Sequence, residues 1–268
     1  MHPLLRHARL ASGLLVAILP VQMVGSSLPT VFPSQTQTNH NNPAPMELEV
    51  SHWSAKLKSS DTEERREAAM RLSQLEGDNA TSALLSALSD HSPIVRAVAA
   101  AGLGERADIS VVPALAARLA SDKDVFVRKT IAYGLASFTS TERTLALTGA
   151  LKDKDPEVRG AAAVSLGDHP DPAAISALGA ALSDKNPFAR AAAARALGVN
   201  GQGATQAVSA LMKLLASDED LEVRRQAATA LGAIGERSAL PALERATRDS
   251  DPYLAQAALA SIKILQTK

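Results

Sequence analysis

The chain has no cysteine. Disulfide scaffolds, thiol nucleophiles, thiolate metal sites and acyl-cysteine membrane anchors are therefore excluded together. Aromatic residues are scarce, 3% of 268 positions, so the side chains that normally cover sheet faces are missing. An excess of either charge is missing too: 28 basic residues balance 28 acidic ones, whereas a surface that tracks phosphates carries a basic surplus. What remains is an apolar fraction of 46% resting on Ala and Leu, the strongest helix formers, and it predicts an all-α protein.

The longest apolar run stands at the start. Residues 1–9 carry Arg6 and Arg9 and no acid, Leu10 to Val24 are almost wholly apolar, and Gly25, Ser26 and Ser27 follow. A basic beginning, an apolar stretch of about 7–15 residues and a small-residue exit are the parts of a secretory signal peptide. The stretch is shorter than the roughly 20 residues of a membrane span, and Pro20 interrupts it. The expectation is a signal peptide over residues 1–26, cleaved near Ser26 or Ser27, and export to the periplasm or beyond the cell. The alternative is an uncleaved N-terminal anchor with the protein facing outside the cytoplasm. Residues 27–45 mix Pro, Asn, Gln and Thr without an apolar period and read as a disordered polar linker.

Residues 46–268 are periodic. DPEVRGAAAVSLG around Arg159 recurs as SPIVRAVAAAGLG at Arg96, DVFVRKTIAYGLA at Arg128, NPFARAAAARALG at Arg190 and DLEVRRQAATALG at Arg224, with weaker copies at Arg65 and Ala255. These anchors are spaced 31, 32, 31, 31, 34 and 31 residues, and the extra three residues fall in GVNGQG (198–203), a longer loop or a hinge. Four residues before the anchors stand Asp61, Ser92, Asp124, Asp155, Asn186, Asp220 and Asp251, all able to cap a helix N-terminus. Pro93, Pro156, Pro187 and Pro252 follow, at the first helical position, where proline costs no hydrogen bond.

At about 100° per residue, the columns one before and three, six and seven after the anchor form a single stripe, the expected core face. A second amphipathic segment precedes each cap, for instance at 111–120, 144–152, 173–182 and 207–216. Each repeat is thus an antiparallel pair, an A helix then a B helix, of roughly 10–14 residues each. Trp53 falls in the core column of the first A helix. One such hairpin buries too little alone, so the hairpins stack into a solenoid.

These residues resemble HEAT repeats, in the short class named after phycobilisome lyase subunits. The motif of a loop Asp, then Val-Arg, then Ala-Leu-Gly covers roughly residues 58–266. The resemblance implies an all-α, right-handed α-α superhelix of about seven two-helix repeats. It also implies a hydrogen-bonded ladder between neighbouring repeats. The loop Asp is matched at Asp90, Asp122, Asp153, Asp184, Asp218 and Asp249, and its partners are Arg96, Arg128, Arg159, Arg190 and Arg224. Ser59 and Ala255 stand in place of Asp and Arg at the ends, where the ladder is expected to stop.

One Asp/Arg pair per repeat is a structural pattern, because a catalytic site needs one constellation in one place. Beyond the signal segment the histidines are His40, His52, His91 and His169. His91 precedes a B helix and His169 follows one, so they stand on opposite edges and share no metal. The His-Glu pairs of the di-iron hydroxylases built from HEAT repeats are missing, and no glycine loop carries the Lys-Ser/Thr of a P-loop. The chain is expected to be non-enzymatic, with no catalytic residue, cofactor or metal.

The columns opposite the core stripe are left free, and in the resembled family that side lines a concave surface. Two before the anchor stand Glu63, Ile94, Phe126, Glu157, Phe188, Glu222 and Tyr253. Glutamate suits a helix N-terminus, and the apolar residues need another explanation. Ile94, Val98, Phe126, Tyr133, Val164 and Phe188, rimmed by Lys129, Arg195 and Arg225, form a candidate partner-binding patch. The alternative is that curvature buries the rings against neighbouring helices.

The function expected is a monomeric, exported scaffold that holds another protein or peptide on this surface. A second reading is an accessory role in chromophore attachment, as in phycobilin lyase subunits, which the export signal opposes because those proteins act in the cytosol. Nucleic-acid binding, as in HEAT-like DNA glycosylases, is opposed by neutral charge and by export.

Overall fold

The computed structural model describes residues 45–106 and 108–267; the expected signal peptide and all but the last residue of the linker lie outside them. Fourteen α-helices run in pairs through the described residues. They are α1 (Pro45–Lys56) with α2 (Thr62–Gln74), α3 (Asp78–Ala87) with α4 (Pro93–Glu105), α5 (Val112–Ser121) with α6 (Val125–Gly134), and α7 (Thr141–Ala150) with α8 (Pro156–Asp168). Next come α9 (Ile175–Ala181) with α10 (Pro187–Asn200), α11 (Val208–Ser217) with α12 (Leu221–Ile234), and α13 (Leu240–Ala246) with α14 (Pro252–Thr267). Odd numbers are A helices and even numbers B helices, giving seven repeats in an all-α solenoid. No described helix is long and apolar enough to cross a membrane.

The B helices begin at the cap column. Asp61, Asp124, Asp155 and Asp220 accept from the amide two residues on, Asn186 from the amide three on, and Asp251 from the amides of Tyr253 and Leu254. Such caps are each worth about 1 kcal/mol. Ser92 takes the cap position without making the side-chain bond. Two A helices, α9 and α13, are only 7 residues long, because 3-10 turns at Pro172–Ala174 and Arg237–Ala239 replace their first turns. The longest spacing is taken up by a 3-10 segment, Gly201–Ala207, entered at a φ of 57° that only glycine adopts freely.

The predicted stripe is largely buried in the later repeats, whereas in the first repeat Glu64 and Arg71 take two of its columns and are exposed; burial on the B helices is also wider than one stripe. In α8, Val158, Gly160, Ala161, Ala162, Ala163, Ser165, Leu166 and Gly167 are all buried. The cause is the number of neighbours: α8 packs on its own A helix and on the B helices of both adjacent repeats. The approach is close. The residue eight after one anchor meets the residue six after the next, so that Gly104 faces Gly134, Gly167 faces Ala196, Gly198 faces Ala230 and Gly232 faces Ser261. A Cβ on Gly198 would sit 2.9 Å from the Ala230 Cα, which is why the motif ends in glycine. Between successive A helices there is more room, with grooves of about 670 Å³ beside α1 and α3 and about 460 Å³ beside α5 and α7.

Six ion pairs run along the edge where the B helices start, each joining an anchor arginine to the loop aspartate of the next repeat. They are Arg65–Asp90, Arg96–Asp122, Arg128–Asp153, Arg159–Asp184, Arg190–Asp218 and Arg224–Asp249. In the Arg128 rung, Nε and Nη2 donate to the two Asp153 oxygens at 2.7 and 2.8 Å, while Nη1 donates to the carbonyls of Asp122 and Lys123 at 3.0 and 3.2 Å. Asp153 Oδ1 also accepts from the Asp155 amide at 2.8 Å. Each arginine therefore ties down its own loop while gripping the next. Burial pushes the Asp122 and Asp153 carboxyls up, but the arginine and the loop amide outweigh it and hold both below the ordinary carboxylate value. At Asp184 the Arg159 hydrogen bond is the largest influence, in the same downward direction.

The ladder begins one repeat earlier than expected. Arg65 reaches Asp90 although Ser59 replaces its own loop aspartate, because the arginine needs only the backbone carbonyl of that position. At the other end Arg224 turns its Nε to the Leu215 carbonyl and meets Asp249 through Nη2 alone.

One buried arginine has no counterpart in the motif. Arg143, 1% exposed, donates to the carbonyls of Leu135, Ser165 and His169 at the ends of α6 and α8. Burial lowers its pKa from the usual arginine value. It satisfies carbonyls that helix ends leave without partners.

Candidate functional site

The second residue of every B helix turns away from its own core stripe. Ile94, Phe126, Phe188 and Tyr253 are exposed there, Phe126 at 50% and Phe188 at 48%. In the register of the stack this residue lies over the one just after the anchor in the preceding repeat. Three pairs display the relation. Lys129 donates to Glu157, the Phe188 ring occupies the space that a Cβ on Gly160 would need, and the Arg225 guanidinium lies 5.1 Å from the Tyr253 ring centre. Ala97, which stands in the same relation to Phe126, is buried. The phenylalanines are thus divided between packing and exposure: roughly half of each side chain is covered and half meets water.

Lys129, Tyr133, Glu157, Asn186 and Phe188 line a shallow cavity of about 330 Å³ spanning α6, α8 and α10. Lys129 comes from the second turn of α6 and exposed Tyr133 lies one turn further on, four residues away, on the same face. Glu157 is placed by the start of α8, while Asn186 and Phe188 come from the cap and second residue of α10. The Glu157 hydrogen bond raises the Lys129 pKa. The ion pair leaves the cavity with no net charge between two aromatic walls, a setting for an apolar side chain rather than for an ion.

Of the residues assigned to the patch from sequence, Lys129, Tyr133 and Phe188 meet in this cavity, and Ile94 and Phe126 continue the exposed column. Val98 and Val164 do not belong to it: both are half-buried and pack against the hydrophobic core. Nor are the cations a free rim. Lys129 pairs with Glu157, Arg195 with Asp168 at 3.7 Å, and Arg225 with Glu222 and Asp251. Glu157 and Asn186 were missed, although each was legible as a departure, Glu157 as an acid between two phenylalanines in its column and Asn186 as the sole amide among the caps.

The described histidines stand apart. His91 and His169 are exposed at opposite ends of B helices, and His52 is packed edge-on against half-buried Trp53, with ring centres 4.9 Å apart. Trp53 thus only partly enters the core, and its ring also meets the Arg71 guanidinium, 5.6 Å from the ring centre. Among the described residues no group of three His, Asp or Glu side chains could hold a metal ion.

The family model for HEAT repeats matches residues 50–136, 126–198 and 176–263. Among solved structures, the E. coli protein YibA superimposes with a TM-score of 0.64 at 22% identity, over 83% of this chain and 82% of that one. An engineered protein gives a TM-score of 0.53 at 24% identity, over 81% and 68% of the two chains. The CpcE–CpcF complex of phycocyanin lyase from Nostoc sp. PCC7120 gives 0.49 at 24% identity, over 89% and 99%. At these identities the likeness concerns the fold alone. No curated protein matches by sequence.

Proposed function

The chain belongs to the HEAT-repeat family, and from that premise we propose that it is a non-enzymatic scaffold that holds another protein on the B-helix surface around Phe126 and Phe188. The observation that supports this reading is the half-exposed ring row with the neutral, aromatic-walled cavity beside it. Evenly spaced rings on a rigid stack offer anchors at little entropic cost, since a phenylalanine has few rotatable bonds to immobilise. A chemical role would need acids, bases or nucleophiles converging on one place, whereas the charged groups here are distributed one set per repeat. We place the scaffold outside the cytoplasm on the strength of the basic start, apolar stretch and small-residue exit over residues 1–26.

The test is affinity capture from envelope fractions with the full chain and with the double variant Phe126→Glu/Phe188→Glu. Half-exposed positions tolerate the change, with a stability cost of about 1 kcal/mol or less. A partner retained by the wild type should be lost from the variant. Retention of the same partners by both would remove the surface from consideration.

A further inference from the structure

A second row runs beside the rings. Three residues before Phe126, Glu157 and Phe188 stand Lys123, Lys154 and Lys185, one in each of three consecutive repeats and all exposed. Their backbone carbonyls accept from Nη1 of the ladder arginines Arg128, Arg159 and Arg190 at 3.2, 3.3 and 3.2 Å, so the three loops repeat one geometry. None of the three ammonium groups meets a carboxylate among the described residues. The nearby ladder carboxylates of Asp122, Asp153, Asp184 and Asp218 are neutralised by arginine, and the caps Asp124 and Asp155 are turned to helix amides. The third cap is Asn186, which is uncharged. The lysines are therefore unpaired cations on this edge, one in each of three consecutive repeats and three residues from the ring row, and the series ends at exposed Glu219, which takes the same position in the following repeat.

The spacing selects the form of the partner. Packed helices lie about 8–10 Å apart, and an extended polyproline-type chain advances about 9 Å in each three-residue turn. Such a chain crossing the B-helix starts returns the same face to every repeat. We propose that this edge binds an extended, proline-containing segment of another protein that carries an acid at every third residue and apolar side chains between, the acids on Lys123, Lys154 and Lys185 and the apolar residues on Phe126 and Phe188. The proposal rests on the protein-binding reading of the B-helix surface. A denser polyanion fits less well, because Asp124, Asp155 and Glu157 stand between the lysines, and nucleic acid carries phosphates more closely than one per repeat.

The probe is a labelled dodecapeptide of four Asp-Leu-Pro units, titrated with the full chain by fluorescence anisotropy. Circular dichroism confirms the folding of each variant. Binding is expected to weaken about tenfold in the triple variant Lys123→Glu/Lys154→Glu/Lys185→Glu and to fall as salt rises. It should weaken comparably in Phe126→Glu/Phe188→Glu, and a Lys-Leu-Pro control peptide should bind about tenfold more weakly to the wild type. No binding by the wild type, equal binding of the control, or tighter binding of oligothymidylate than of the peptide overturns the proposal. Loss in the phenylalanine variant without loss in the lysine variant overturns the acidic partner and leaves the B-helix surface standing. The reverse pattern removes the ring row from the contact and overturns the proposal, while the B-helix reading stands or falls on the capture experiment.

Discussion

Arg128 of one repeat and Asp153 of the next share two hydrogen bonds of 2.7 and 2.8 Å, with both side chains largely shielded from water. The contact is at once a join between repeats and a fastening of each loop. Removing one partner strands the other charge in a place where water cannot reach it well. Arg128→Met should destabilise the protein by about 3 kcal/mol in urea unfolding. Adding Asp153→Asn should restore about 1–2 kcal/mol, because the amide still accepts from Asp155 without carrying a stranded charge. Simple additivity of the two changes would show that the rung contributes no coupling.

Glycines of the B and A helices should respond in opposite directions. Gly198→Ala puts a methyl group 2.9 Å from the Ala230 Cα and should cost about 1–3 kcal/mol through forced separation of α10 and α12. Gly179 in α9 has nothing within 4 Å of the added carbon. There Gly179→Ala should stabilise by about 0.5–1 kcal/mol from helix propensity alone. Thermal melts of the two variants suffice, and a shared sign would contradict the packing described.

The ladder also sets the response to acid. The carboxyls of Asp90, Asp122, Asp153, Asp184 and Asp218 have pKa values lowered in the folded protein. A group of this kind favours the folded state when ionised. Its contribution is complete above the unfolded value of about 3.9 and disappears as pH falls through the lowered native values. The urea midpoint should therefore change little through these groups from neutral pH to about 5, then drop below about 4. Asp184→Asn should flatten that drop, and an unchanged acid profile in this variant would contradict the assignment.

Arg143 offers a separate test of burial. Arg143→Met removes the donor from three helix-end carbonyls while keeping much of the side-chain volume. Unfolding should become easier by about 1–3 kcal/mol, the cost of leaving buried acceptors unpaired. Hydrogen exchange should quicken at the ends of α6 and α8 before it does so in α12. Uniform acceleration along the stack would show that the residue acts on global stability rather than at this join.

The number of repeats and the B-helix starts were legible in the amino-acid order because both follow from a local pattern that recurs seven times, whereas the pairing of loop aspartate with anchor arginine was implied only by the resemblance to HEAT repeats. Asp124 caps its helix through residues two and three positions away, and proline at Pro156 marks the first turn, whatever the rest of the chain does. Tertiary structure alone decided how far one B helix slides along the next. That offset lays Phe188 over Gly160, joins Lys129 to Glu157, draws Val98 and Val164 into the packing, and leaves Phe126 half in water. It also lets Arg65 reach Asp90 and closes a cage of carbonyls around Arg143. The angular period within a helix says which side faces inward, whereas contacts between helices depend on axial offset and separation, which arise from side chains of two repeats packed together.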